Sequence, residues 1–94
     1  MVPIKIYFLE FDDDNLEHIH AHGVSPEEIE QVTGNRYATA RSRRTPASRI
    51  MMFGFTDGGR ALSVVLEATQ DPAVWRPVTA WDATPEERQI VERN

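Results

Sequence analysis

Ile4, Ile6 and Phe8 alternate along the chain with Lys5, Tyr7 and Leu9, and this period of two predicts a strand with two unequal faces. The acidic run Asp12–Asp14 ends it and offers a cap and negative charge to a following helix, whose N-terminal dipole favours both. That helix is predicted over roughly Asp13–His22, with Leu16 and Ile19 as its apolar stripe and Gly23 as its stop. The next start signal is more complete. Ser25 is the N-cap, Pro26 takes the first helical position, Glu28 closes a capping box, and Val24 and Ile29 stand at the staple positions. This second helix turns Ile29 and Val32 inward and ends near Gly34.

Residues Asn35–Ser48 show no period and predict an exposed loop or a ragged edge strand. Alternation returns in Arg49–Thr56, with Ile50, Met52 and Gly54 on one face and Met51, Phe53 and Phe55 on the other. Asp57-Gly58-Gly59 is a turn, and Arg60–Ala68 runs back with Leu62, Val64 and Leu66 aligned. Gln70-Asp71-Pro72 turns the chain again into Val74–Trp81, where Pro77 predicts an edge strand or a missing donor that points outward. Thr84-Pro85-Glu86-Glu87 repeats the Ser25 chemistry and opens a last helix to Arg93. The expected fold is α+β, with the order β-α-α-β-β-β-α and an antiparallel sheet of about four strands. Residues 1–94 make a single domain.

Composition adjusts this picture at three points. There is no cysteine, so disulfides and cysteine-built metal sites are excluded, which suits a cytoplasmic chain. The N-terminal apolar run is interrupted by Lys5 and Glu10 and is too short for a signal peptide or a membrane span. The net charge of −5 argues against a surface that grips phosphate everywhere. Yet Arg36, Arg41, Arg43, Arg44 and Arg49 fall within one stretch and form a local positive field.

The run from Phe11 through Asp12-Asp13-Asp14-Asn15 to His22-Gly23-Val24-Ser25 resembles the opening of BrnT-type toxins of bacterial type II toxin–antitoxin systems. Thr56-Asp57-Gly58-Gly59-Arg60 with Leu62, Val64 and Val65 is similar to that family's central hairpin. Val78-Thr79-Ala80-Trp81 through Glu87-Arg88 is similar to its closing strand and helix. The resemblance covers most of the chain. It implies a RelE-like fold, a metal-independent ribonuclease without cofactors, and a cognate antitoxin as partner. Ala21, Phe55 and Trp81 stand where the family tends to carry basic residues, so the alternative is an interaction module that keeps the toxin fold without nuclease chemistry.

RNA cleavage through the 2′-hydroxyl needs a base, an acid and cations at the phosphorane. His22 matches the family's histidine and titrates in the useful range, although a histidine at a helix end also simply caps carbonyls. Arg60 is a catalytic candidate at the start of a strand from which it can reach the sheet face, or it is a structural or solvated hairpin end. Arg41, Arg43, Arg44 and Arg49 are candidates for RNA phosphates or an acidic antitoxin segment. Trp81 is a candidate for base stacking and, six residues from Trp75, shares its face if the strand is regular; an interface patch or plain core packing is the alternative, and core packing is the default for both. His18 and His22 share a helix face, but two histidines do not make a metal site, and none is expected. The apolar side chains of Met51–Phe55 exceed what one buried face needs, so some should cover a helix or meet a second chain, including a second copy of this one.

Overall fold

The computed structural model describes residues 4–41 and 46–93. Its elements are β1 (Phe8–Leu9), α1 (Asp13–Ala21), α2 (Pro26–Gly34), β2 (Tyr37–Ala40), β3 (Arg49–Phe55), β4 (Ala61–Ala68), β5 (Val74–Asp82) and α3 (Pro85–Glu92). All three helices open with a reciprocal capping box: Asp12 with Asn15, Ser25 with Glu28, and Thr84 with Glu87. Gly23, at φ 71°, ends α1 in the left-handed region that glycine enters without a Cβ penalty.

The class is α+β, as expected, but the sheet has five strands and is mixed. The strand order is β1-β5-β4-β3-β2, with β1 parallel to β5 and every other neighbour antiparallel. The stretch after Asn35, read as an exposed loop or a ragged edge strand, contributes β2 at one edge of the sheet, so the edge-strand alternative holds for Tyr37–Ala40. One expectation about the strands is corrected. The N-terminal strand is only two residues long and pairs across the length of the chain, Phe8 beside Val74 and Leu9 beside Trp75. Local alternation cannot reveal that partner, because period reports which face a residue takes and not which strand it meets.

Pro77 tells a related story. β5 lies inside the sheet, between β1 and β4, so the edge reading fails. The ladder shifts at this point: Leu66 faces Pro77 while Val65 faces Thr79, leaving Val78 as the extra residue of a bulge. β1 ends at Leu9, opposite Trp75, before it reaches the proline. A residue without a donor is tolerated where the regular ladder is already broken.

One face of the sheet carries Ile50, Met52, Leu62, Val64, Leu66 and Ala80, all fully buried. Ile19, Ile29 and Val32 of α1 and α2 close over it. Each such aliphatic side chain contributes about 1.5–3 kcal/mol relative to exposure, so this layer holds the domain together. Gly54 lets α2 settle against β3, since a Cβ there would stand 2.6 Å from Val32 Cγ1. The curl of the sheet brings its edges close. The Tyr37 hydroxyl of β2 accepts the Ile6 N–H at 3.0 Å, just before β1 at the opposite edge.

The opposite face carries Phe53, Ser63 and Trp81 in one cross-strand row. α3 covers this end: Val91 is buried, and the Arg88 guanidinium lies 5.4 Å from the Phe55 ring centre.

Candidate functional site

Arg60 begins the return of the central hairpin, where Gly59 adopts φ 88° and the Arg60 N–H donates to Thr56 Oγ1 at 3.1 Å. This turn aims its guanidinium at three elements at once. Nε donates to Asp82 Oδ1 at 2.7 Å, and Nη1 reaches Glu28 Oε2 and the Gly23 carbonyl, each at 2.9 Å. Hydrogen bonds to Asp82, then Glu28, raise the pKa of Arg60 against the desolvation that opposes its charge. Burial alone would raise the Glu28 carboxyl; the Ser25 N–H and the Arg60 guanidinium outweigh it and hold the pKa below the ordinary value. Asp82 is lowered chiefly by its hydrogen bond from Arg60. This cation ties the α1–α2 junction to the end of β5, and two carboxylates neutralise it.

His22 is the C-cap of α1 and neighbours Gly23, so the two residues proposed for catalysis lie in one region of the molecule. The His22 side chain is exposed and makes no hydrogen bond to another described residue. No acid–base pair links it to Arg60. No group of three metal-ligating side chains occurs among the described residues.

The remaining candidates disperse. Arg43 and Arg44 lie outside the described residues. Arg41 is exposed and donates to the Ala47 carbonyl at 2.6 Å. Arg49, in β3, approaches Glu67 at 3.6 Å. Trp81 is half-buried, and its indole N–H donates to Glu87 Oε1 at 3.2 Å. Burial would raise Glu87; the Thr84 N–H, the nearby Ser63 hydroxyl and the Trp81 indole together hold it low. Trp75 does not share the Trp81 face, because the bulge at Val78 reverses the alternation. Trp75 is 8% exposed and joins the main core, while Trp81 stands beside Ser63 on the α3 side.

Sequence reasoning missed a second arginine hub. Arg76 Nε donates to Asp12 Oδ2 at 2.7 Å and Nη2 to Oδ1 at 3.0 Å, a two-pronged bond that pins the N-cap of α1 to β5. It lowers the Asp12 carboxyl, with help from the Asn15 N–H. Asn15 is 1% exposed and spends its amide on the Glu10 carbonyl and the Asp12 N–H. The three consecutive aspartates did announce a cap. Nothing local announced that its counter-ion sits in the last strand.

Across β3, β4 and β5 the exposed-side rows run in register. Met51 faces Val65, which faces Thr79; one step on, Arg49 faces Glu67, which faces Arg76. All six are half-buried. No helix among the described residues is long and apolar enough to cross a membrane. Compared with protein-family models and with curated proteins, the chain matches none.

Proposed function

We propose that this chain is the toxin-type member of a type II toxin–antitoxin pair, with a RelE-like fold, and that it works by binding a cognate protein rather than by cutting RNA. The observation that carries this is the state of its cations. Arg49, Arg60 and Arg76, the described arginines of the sheet and its central hairpin, each have a carboxylate partner. Arg60 has two. A phosphodiester competes poorly for a guanidinium that is already neutralised, and a ribonuclease needs a surplus of positive charge at the scissile phosphate. The β-α-α order, the capped second helix and the central hairpin whose return begins at Arg60 support the family resemblance drawn from the sequence.

One observation favours the nuclease reading instead. Glu67 lies between Arg49 and Arg76 in adjacent strands, which sets a carboxylate base between two guanidiniums. The experiment is to induce the chain alone in a bacterial host and to assay the pure protein on total RNA. The binding reading expects no RNA cleavage and a stable complex with the product of the adjacent gene. Growth arrest with cleavage, both relieved by Glu67→Gln or His22→Ala, establishes the nuclease and rejects the binding reading.

A further inference from the structure

We infer that the bond between Asp57 and Gly58 is a modification site, where the Asp57 side chain closes on the Gly58 nitrogen and converts the hairpin turn to an isoaspartyl linkage at a rate held down by Asn35. The Thr56 carbonyl accepts the Gly59 N–H at 3.0 Å, so residues 56–59 form a β-turn with Asp57 and Gly58 at its two central positions. The Gly58 N–H meets no acceptor among the described residues. Asp57, Gly58 and Gly59 are all exposed. Gly58 has no side chain to screen its nitrogen, and a Cβ there would find only Thr56 Oγ1 within reach, at 3.9 Å. The other described aspartates lack this opening. Asp71 precedes Pro72, which has no N–H. Asp82 precedes Ala83, whose N–H donates to the Ala61 carbonyl at 3.0 Å. Asp12, Asp13 and Asp14 are each followed by a residue of α1 that carries a side chain.

The step needs only water. The Gly58 nitrogen attacks Cγ of the protonated Asp57 carboxyl, a C–N bond forms, and the Cγ hydroxyl leaves with the amide proton as water. Water then opens the cyclic imide. Opening at the side-chain carbonyl restores aspartate, and opening at the main-chain carbonyl routes the backbone through Cβ and Cγ without a change of mass. Ring closure turns the Asp57 side chain about its Cα–Cβ bond, and Asn35 resists that turn. Asn35 Nδ2 donates to Asp57 Oδ1 at 2.9 Å and to the Phe55 carbonyl at 3.1 Å, from the C-cap of α2. The Asp57 N–H donates to Gln31 Oε1 at 3.1 Å on the same helix. An isoaspartyl linkage adds a carbon to the main chain between these two ties, so the modified turn loses its hold on α2.

The test is prolonged incubation of the full chain at neutral pH and body temperature. Isoaspartate is read by transfer of a labelled methyl group from S-adenosylmethionine with an isoaspartyl carboxyl methyltransferase, and is placed in the sequence by electron-transfer fragmentation. The label should accumulate at residue 57 ahead of every other aspartate. It should vanish in Asp57→Glu, whose longer side chain closes a larger ring far more slowly. Asn35→Ala keeps the backbone cap and removes the side-chain amide, so it should accumulate label severalfold faster. If that variant does not fold, wild-type chain unfolded in urea supplies the comparison and should also gain label at residue 57 faster than folded chain. The separated isoaspartyl form should unfold at a lower urea midpoint than the unmodified protein. No isoaspartate at residue 57, or as much at Asp71 or Asp82, overturns the site. An equal rate with and without the Asn35 amide, or in folded and unfolded chain where Asn35→Ala does not fold, overturns the restraint. An unmoved midpoint overturns the loss of hold on α2.

Discussion

The phenol of Tyr37 holds the backbone N–H of Ile6 at 3.0 Å, and through that bond one edge of the curled sheet is tied to the segment entering the other. Ile6 is 7% exposed and Tyr37 packs against the core, so water has poor access to either. Tyr37→Phe keeps the ring and removes the hydroxyl, which accepts from Ile6 and donates to the Ile4 carbonyl at 3.4 Å. The expected cost is about 1–2 kcal/mol, the penalty for a buried N–H left without a partner. Urea unfolding should show a lower midpoint at unchanged slope.

Arg60 has a structural consequence that a catalytic role does not require. Arg60→Ala should destabilise the domain by about 1.5–3 kcal/mol, since a charged donor leaves two carboxylates and a carbonyl. Lysine cannot serve three acceptors from one planar fork, so Arg60→Lys should recover only part of the loss. Calorimetric midpoints of the three proteins at neutral pH check the order.

Acid should unfold the chain through its paired carboxyls. Glu28, Asp82 and Glu87 have folded-state pKa values below their ordinary ones of 4.5, 3.8 and 4.5. Their contribution to stability is therefore complete above those ordinary values and is lost as pH falls through the lowered folded values. Urea midpoints should be flat from neutral pH down to about 5 and fall steeply below about 4. In Arg60→Ala the fall should be shallower, because Glu28 and Asp82 no longer differ as much between folded and unfolded chains. An equal slope in both proteins would show that other carboxyls carry the acid transition.

Gly54→Ala should destabilise by about 1–3 kcal/mol through overpacking. The added methyl would meet Val32 Cγ1 at 2.6 Å and the Tyr37 Cβ at 3.2 Å. Val32→Ala alone creates a cavity, yet combined with Gly54→Ala it should cost less than the sum of the two. A double-mutant cycle by urea unfolding reads that coupling.

Local order was legible in the sequence; long-range pairing was not. The Ser25 and Thr84 boxes, the Gly23 stop and the faces of Ile50–Gly54 and Leu62–Leu66 appear where the pattern places them, because each depends on neighbours within a turn or on strict alternation. The parallel seat of β1, the bulge at Val78 and the Arg76–Asp12 pair depend on residues from distant parts of the chain. The two tryptophans illustrate the limit. Their spacing of six is correct, but one inserted residue in the ladder puts them on opposite sides of the sheet. For the site, Arg60 and Glu28 were both visible as residues, one as a catalytic candidate and one as a cap. That they bind each other is information the hairpin and the helix hold only together.

β1 also sets the schedule by which the chain can be finished. Its partner strand begins at Val74, and the clamp from Asp12 reaches Arg76 across 64 positions of sequence. On a ribosome β1 waits unpaired until β5 emerges. The hairpin of β3 and β4 can close early, from contacts that are near in sequence. The N-terminal segment, with Tyr7 and Phe8 each 65% exposed even when seated, can join only after β5 has left the exit tunnel. During synthesis those aromatic residues are open to chaperones and to other nascent chains until β5 gives β1 its seat.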